Sequence, residues 1–294
     1  MLNMFRKLAI VRDTIQEASD TLNLDLGKLV AEGPIDELSM STNTQPVMLM
    51  TSIVCQRVWL HAGGTMPSII AGHSLGEYTA LVVADAIKFC DALRLVRFRA
   101  QAMQLAVPFG KGSMAAILGL DDKTVSIVCE EASKSGVVEA VNFNAPKQIV
   151  ISGHNPAVES ACKIAKEKGA KYTVMLSVSA PFHSSLMNPM LDKLRDYFVN
   201  VDMKEPRIPV VNNIDVASPI DPIEIKDALV RQAAGPVHWM DCVRYIANTG
   251  VTHVIECGPG KVLTRLIKSI DVNLTSISVF SPESIDKALR LILY

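Results

Sequence analysis

What the chain lacks narrows the field first. None of its six cysteines (Cys55, Cys90, Cys129, Cys162, Cys242, Cys257) stands in a C-x-x-C pair, which excludes zinc ribbons and dithiol redox motifs. No apolar run approaches the roughly 18 residues a membrane-spanning helix needs. The best candidate, Val47 to Cys55, is broken by Thr51 and Ser52, is followed by Gln56 and Arg57, and reads as a buried helix. There is no excess of charge: 29 basic and 30 acidic residues leave a net −1, giving no general attraction to nucleic acid or to anionic membranes. Arg6, Lys7, Arg12 and Asp13 interrupt any apolar h-region, so no signal peptide is expected. Scattered thiols in apolar surroundings read as structural, which predicts a soluble, cytoplasmic protein. Internal repeats and low-complexity segments are also missing.

What is present is enough apolar material for a large core. Of 294 residues 49% are hydrophobic and 20% charged, which suits one large α/β domain carrying a smaller lobe. Helical spacing is expected for Leu8 to Leu22, Gln45 to Leu60, Asp91 to Ala106 and Ser184 to Phe198. Between Gly112 and Leu176 the texture changes to strand, helix, strand, strand, helix, strand within about 65 residues, the ferredoxin-like unit. Alternation then resumes with strand Pro209 to Asn212, helices Ile223 to Ala233 and Met240 to Thr249, and strand His253 to Glu256. The expected division is a discontinuous α/β domain, 1–108 and 179–294, around a small subdomain, 109–178.

The sharpest local signal is Gly72-His73-Ser74-Leu75-Gly76, a G-x-S-x-G between a short apolar strand (Ser68 to Ala71) and a helix starting near Glu77. Glycines permit a strained strand-to-helix turn that exposes the Ser hydroxyl. The following helix aims backbone N–H groups at it, so the Leu75 N–H is placed for a developing oxyanion. An ordinary Gly-rich turn is the alternative. A serine nucleophile needs a base, and six histidines are available. His183, in a small-residue turn opening a helix, is one candidate and a capping residue is its bland reading. His253, in an apolar strand, reads as a core histidine.

Arg99 is an outlier on a helical wheel. Ala92, Leu93, Leu95, Val96, Ala100, Ala102 and Met103 share its face, while Arg94, Arg97, Gln101 and Gln104 lie opposite. A buried guanidinium requires an anion, either a protein carboxylate or a substrate carboxylate gripped bidentately. Gly258-Pro-Gly-Lys261 lacks phosphate-loop spacing, since Val262 stands where Ser or Thr belongs. It reads as a tight strand-to-helix turn. Lys163, Lys166, Lys168 and Lys171 form a solvated basic edge.

These residues together resemble a family. Gly72-His-Ser-Leu-Gly-Glu-Tyr78, Arg99, Val141-Asn-Phe-Asn144, Ala180-Pro-Phe-His183, Pro209-Val-Val-Asn-Asn213, Val230-Arg-Gln232 and Gly258-Pro-Gly-Lys-Val-Leu263 occur in the order seen in malonyl-CoA:acyl carrier protein transacylases. The resemblance spans essentially the whole chain. It implies an α/β-hydrolase-like core with a parallel sheet and an inserted ferredoxin-like subdomain. It further implies Ser74 as acylated nucleophile, His183 as its base, the Gln232 backbone carbonyl orienting that base, and the Leu75 N–H as an oxyanion donor. Arg99 would bind the malonyl carboxylate, with His73, Met103, Asn144, Gln148 and Phe182 lining the pocket and Phe182 excluding α-branched acyl groups. Malonyl would pass from malonyl-CoA to Ser74 and then to the phosphopantetheine thiol of acyl carrier protein, supplying fatty-acid synthesis. The protein would act as a monomer without metal or cofactor.

Members of that family begin with a strand and a G-Q-G-S-Q loop whose first Gln is a second oxyanion donor. The present sequence starts at Met1-Leu-Asn-Met, in what resembles the helix after that loop, and neither Gln16 nor Gln45 has a comparable context. Either this start is internal to the true reading frame, or the protein is a truncated form lacking that donor. Two other readings stay open: a serine carboxylesterase or thioesterase of similar core, with an Asp or Glu behind its histidine, and an inactive, truncated carrier-binding form.

Overall fold

The computed structural model describes residues 2–5, 7–108 and 110–293. The chain begins with helices α1 (Leu2–Phe5), α2 (Ala9–Leu22), α3 (Leu26–Glu32), α4 (Ile35–Ser39) and α5 (Ser41–His61). Strand β1 (Ile70–Ala71) leads through a sharp turn to α6 (Leu75–Val83) and then α7 (Phe89–Ala106). The lobe comprises β2 (Gly112–Leu118), α8 (Asp122–Ala132), β3 (Val138–Ala145), β4 (Gln148–His154), α9 (Asn155–Glu167) and β5 (Tyr172–Met175). The remainder is α10 (Leu191–Val199), β6 (Val210–Val211), α11 (Pro222–Ala234), α12 (Trp239–Asn248), β7 (His253–Cys257), α13 (Val262–Ile270), β8 (Thr275–Val279) and α14 (Pro282–Leu293).

Helix α5 forms the spine of the large core. Leu49, Met50, Val54 and Cys55 are fully buried, with Ile53, Val58 and Trp59 close behind, so the helix is covered on several sides rather than along one stripe. It starts four residues before Gln45, because Ser-Thr-Asn-Thr, which reads as loop, supplies its first turn ahead of Pro46. Helix α7 buries the face the wheel assigns to it, Arg99 included.

Strand β1 pairs with β6 in parallel, Ile70 with Val210 and Ala71 with Val211. Parallel pairing sends residues 72–74 and residues 212–213 off the same end of the two strands. That end is where open α/β sheets place their ligands. Strands β7 and β8 form a second parallel pair over His253–Cys257 and Thr275–Val279. The lobe sheet is antiparallel in the order β3-β4-β2-β5. Helices α8 and α9 pack on it over Ile117, Ile149, Ile151, Val125, Val128 and Val158. The fold is therefore mixed α/β, with parallel and antiparallel sheets.

Three local expectations need correction. Residues 184–198 are not one helix: a 3-10 segment, Ser185–Met190, contains Pro189, which cannot donate a backbone bond, and the α-helix begins only at Leu191. Helix α6 starts at Leu75 rather than Glu77, so Ser74 abuts its first turn. His253 is exposed, bonded to the Thr252 hydroxyl, and is no core residue. Elements β8 and α14 go unread, although α14 opens on Ser281-Pro282 and spaces Ile285, Ala288, Leu289 and Ile292 as one helical face. Among the described residues no helix is long and apolar enough to cross a membrane.

Candidate active site

Ser74 sits between β1 and α6 at φ 51°, ψ −106°, a conformation that non-glycine residues avoid. Of the two flanking glycines only Gly72 is demanded by space: a Cβ there would lie 1.9 Å from the Gly76 carbonyl carbon, whereas one on Gly76 meets nothing within 4 Å. Side chains from distant segments hold the strained turn. Asn213, just past β6, accepts from the Ser74 N–H at 2.6 Å and donates to the Gly72 carbonyl at 2.8 Å. Gln232 of α11 donates to the Ser74 carbonyl at 3.1 Å. Leu75 opens α6, so its N–H has no intrahelical acceptor to satisfy it.

Of the six histidines, His183 is the one that meets Ser74 among the described residues. His183 Nε2 lies 2.7 Å from Ser74 Oγ, and its Nδ1 lies 2.9 Å from the Gln232 backbone oxygen. A carbonyl can only accept, so Nδ1 carries the proton and Nε2 is the free acceptor for the serine hydroxyl. Burial, then the nearby charge of Arg99, push His183 down to about 3 in spite of the Gln232 bond. The ring is thus neutral at pH 7 and competent to take a proton. Among the described residues no carboxylate stands behind it; its Nδ1 partner is the Gln232 carbonyl.

Arg99 is 2% exposed and forms no ion pair among the described residues. Its Nη1 donates to Gln45 Oε1 at 2.8 Å, and its Nη2 donates to Gln232 Oε1 at 3.1 Å and to Ser74 Oγ at 3.2 Å. The guanidinium carbon lies 5.4 Å from the Tyr78 ring centre, and Nε has no acceptor among the described residues. The direct partners of the guanidinium are all neutral, and the charge of buried Glu77 reaches it only across the Gln232 amide. The guanidinium is positioned for an arriving anion beside the serine.

The other expected residues divide. His73 Nε2 meets Asn144 Oδ1 at 2.8 Å, and its ring is tilted against Trp239 at 5.6 Å. Met103 is buried and its sulfur receives Gln45 Nε2 at 3.9 Å. Phe182, next to His183, packs on Met114, Val141 and Val150. Gln148 starts β4 at the β3–β4 hairpin and makes no hydrogen bond to the rest of the group. Three participants escape a sequence reading: Gln45, Glu77 and Asn213. Gln45 and Glu77 share with Arg99 the one available signal, a polar side chain on a face that is otherwise buried. Among the described residues no cluster of three or more His, Cys, Asp or Glu is arranged to hold a metal.

A serine in a strained turn, bonded to a neutral histidine and flanked by a buried arginine, defines a site for acyl transfer to a hydroxyl. The chain belongs to the acyl transferase family, whose domain matches residues 4–275. The malonyl CoA-acyl carrier protein transacylase of Escherichia coli (strain K12) is 47% identical over 291 residues, covering 99% of this chain and 94% of that protein. The crystal structure of the acyl-carrier-protein S-malonyltransferase from Burkholderia pseudomallei 1710b superposes with a TM-score of 0.96 at 66% identity, over 98% of this chain and 94% of that one. A malonyl-transacylase solved in complex with its type II PKS acyl-carrier protein gives a TM-score of 0.97 at 43% identity, covering 99% and 94%.

Proposed function

We propose that this acyltransferase moves a malonyl group from malonyl-CoA to the phosphopantetheine thiol of acyl carrier protein through a malonyl-Ser74 intermediate. The observation that carries the reading is the continuous chain from Gln232 O through His183 to Ser74 Oγ, with Arg99 Nη2 on the same hydroxyl. His183 Nε2 takes the hydroxyl proton as Oγ attacks the thioester carbonyl. The Leu75 N–H receives the carbonyl oxygen as it becomes negative. Collapse expels the CoA thiolate, which takes the proton from His183, and leaves malonyl on Ser74. The carrier thiol then gives its proton to His183 and attacks the ester, returning the serine.

Throughout, the free malonyl carboxylate pairs with Arg99 in place of the neutral amide oxygens of Gln45 and Gln232, a stronger, charge-assisted bond. His73, Asn144, Met103, Gln148 and Phe182 line the acyl pocket, with Phe182 disfavouring an α-branch. An esterase or thioesterase reading fits less well, because His183 rests on a backbone carbonyl and a hydrolase has no use for Arg99.

The architectural reading is a discontinuous α/β-hydrolase-like domain, 1–108 and 179–294, with a ferredoxin-like subdomain at 109–178. The order β3-β4-β2-β5 supports the second part, since it places the lobe's first and third strands side by side at the centre.

Intact mass after mixing with malonyl-CoA tests the function. A malonyl adduct that passes to holo acyl carrier protein is the expected result, absent in Ser74→Ala and formed at least about 10²-fold more slowly in His183→Ala. Immediate release of malonate would favour hydrolysis, and no adduct at all would favour carrier binding alone.

A further inference from the structure

Glu77 is 2% exposed, yet among the described residues it forms no ion pair. Burying a carboxylate on such terms costs several kcal/mol, so what its oxygens touch matters. One oxygen, Oε2, accepts two bonds: from Gln232 Nε2 at 2.9 Å and from the Asn213 backbone N–H at 2.8 Å. Those two residues hold opposite halves of the reaction centre. Asn213 grips the peptide units on either side of His73, through the Gly72 carbonyl and the Ser74 N–H. Gln232 grips the Ser74 carbonyl, presents its side-chain oxygen to Arg99, and orients His183 with its backbone oxygen.

The amide of Gln232 has two faces, and Glu77 supplies the shortest of the bonds that decide which is which, together with the Ser74 carbonyl and Arg99. An acceptor at Oε2 requires the NH₂ to face Glu77, which turns the amide oxygen toward Arg99. Without that acceptor the Gln232 NH₂ keeps only its longer bonds, to the Ser74 carbonyl at 3.1 Å and to Asn213 Oδ1 at 3.5 Å, so the amide is held less tightly. Asn213 would also lose the bond that stations its backbone one residue beyond Asn212 at the end of β6.

We infer that Glu77 is a positioning residue of the acyl transfer: one carboxylate oxygen ties the segment carrying the base's carbonyl support to the segment clamping the nucleophile's turn. The inference rests on the malonyl-Ser74 reading above. It needs an acceptor, not a charge. A proton on the other oxygen, Oε1, leaves Oε2 able to accept both bonds, and so does the carbonyl oxygen of a glutamine.

Three variants and rapid-quench acylation test it, using the full chain with malonyl-CoA and separately with acetyl-CoA. Glu77→Leu keeps similar bulk and removes the acceptor. Its acylation rate constant should fall by about 10–10² for both substrates, the loss expected from small misplacement of reacting groups, while the acylated fraction and KM for malonyl-CoA hold within about threefold. Glu77→Gln should recover most of the rate. If Glu77→Leu does not fold, Glu77→Asp carries the test, because the shorter side chain withdraws the acceptor, and a loss of at least about threefold is expected. A wild-type rate in folded Glu77→Leu or Glu77→Asp overturns the inference, as does a Glu77→Gln rate as low as that of Leu. Failure of the wild type to form any adduct would instead overturn the functional reading on which this one stands.

Discussion

The lobe and the body around it are built by opposite rules. In the lobe, β2 pairs with β4 along all seven of its residues, and no charged side chain is buried between 112 and 175 among the described residues. In the body, β1 and β6 share a register of only Ile70 with Val210 and Ala71 with Val211, and Glu77, Arg99, His183, Asn213 and Gln232 are buried together. A long antiparallel ladder with an apolar core needs nothing else to define its geometry. A two-residue ladder cannot orient a nucleophile, so side-chain bonds across the chain take over. The lesson is that the body accepts buried polar groups, each costly alone, in return for a pre-arranged site.

The largest expected effect comes from removing the least compensated of those groups. Arg99→Ala leaves the malonyl carboxylate desolvated without a partner, at a cost of about 3–5 kcal/mol, which is at least about 10²-fold in malonyl-CoA efficiency. Acetyl-CoA has no such carboxylate and loses only the Nη2 bond to Ser74 Oγ, so the malonyl-to-acetyl ratio should collapse. Competition between the two thioesters measures that ratio. A parallel fall would make Arg99 a structural residue and erase the functional side of the contrast.

The converse change belongs in the lobe. Ile117 is fully buried in the lobe core, and Ile117→Ala should cost about 2–5 kcal/mol by urea unfolding. Its acylation rate per folded molecule should stay within about twofold of wild type. A matching loss of rate would mean that the lobe positions the chemistry after all.

The smallest effect, and the one that most sharpens the comparison, is a pH slope. His183 is held at about 3, against 6.5 ordinarily. Between those values the unfolded chain binds more protons, so stability falls as pH drops through the window. Glu77 is pushed up from 4.5 to about 7, chiefly by burial. Its contribution has the opposite sign, full below 4.5 and lost as pH rises toward 7. The two slopes oppose each other from 4.5 to 6.5, and below 4.5 only that of His183 remains. Glu77→Gln removes the opposing slope, so its urea midpoint should begin to decline near pH 6.5 where that of the wild type does not. Curves of the same shape would show that the pair does not titrate as assigned.

How much of this was legible depended on range. The lobe was readable because its elements follow one another and each carries a local signal: Ile149, Val150 and Ile151 form a short apolar run in β4, and Asp121 caps α8 by accepting from the Thr124 N–H. The turn at Ser74 was readable for the same reason, being five residues with one backbone demand. Helix α7 announced Arg99 as misplaced on its apolar face, but a wheel carries no information about which acceptor lies across from it.

By itself, then, the sequence determined the local chemistry: a serine that must stand in a turn, a guanidinium that must be buried, and a strand-helix order that makes the lobe. Apart from the family resemblance, nothing along the chain singles out the histidine that meets the serine: Ser74 and His183 stand 109 residues apart, and the carbonyl that meets His183 Nδ1 lies 49 residues further on. The same holds for Glu77, Asn213 and Gln45, whose partners lie 136, 139 and 54 positions away. Parallel strands bring such residues together through long crossovers, and a hydrogen bond is set by distance and angle after that crossover closes. No spacing along the chain encodes it.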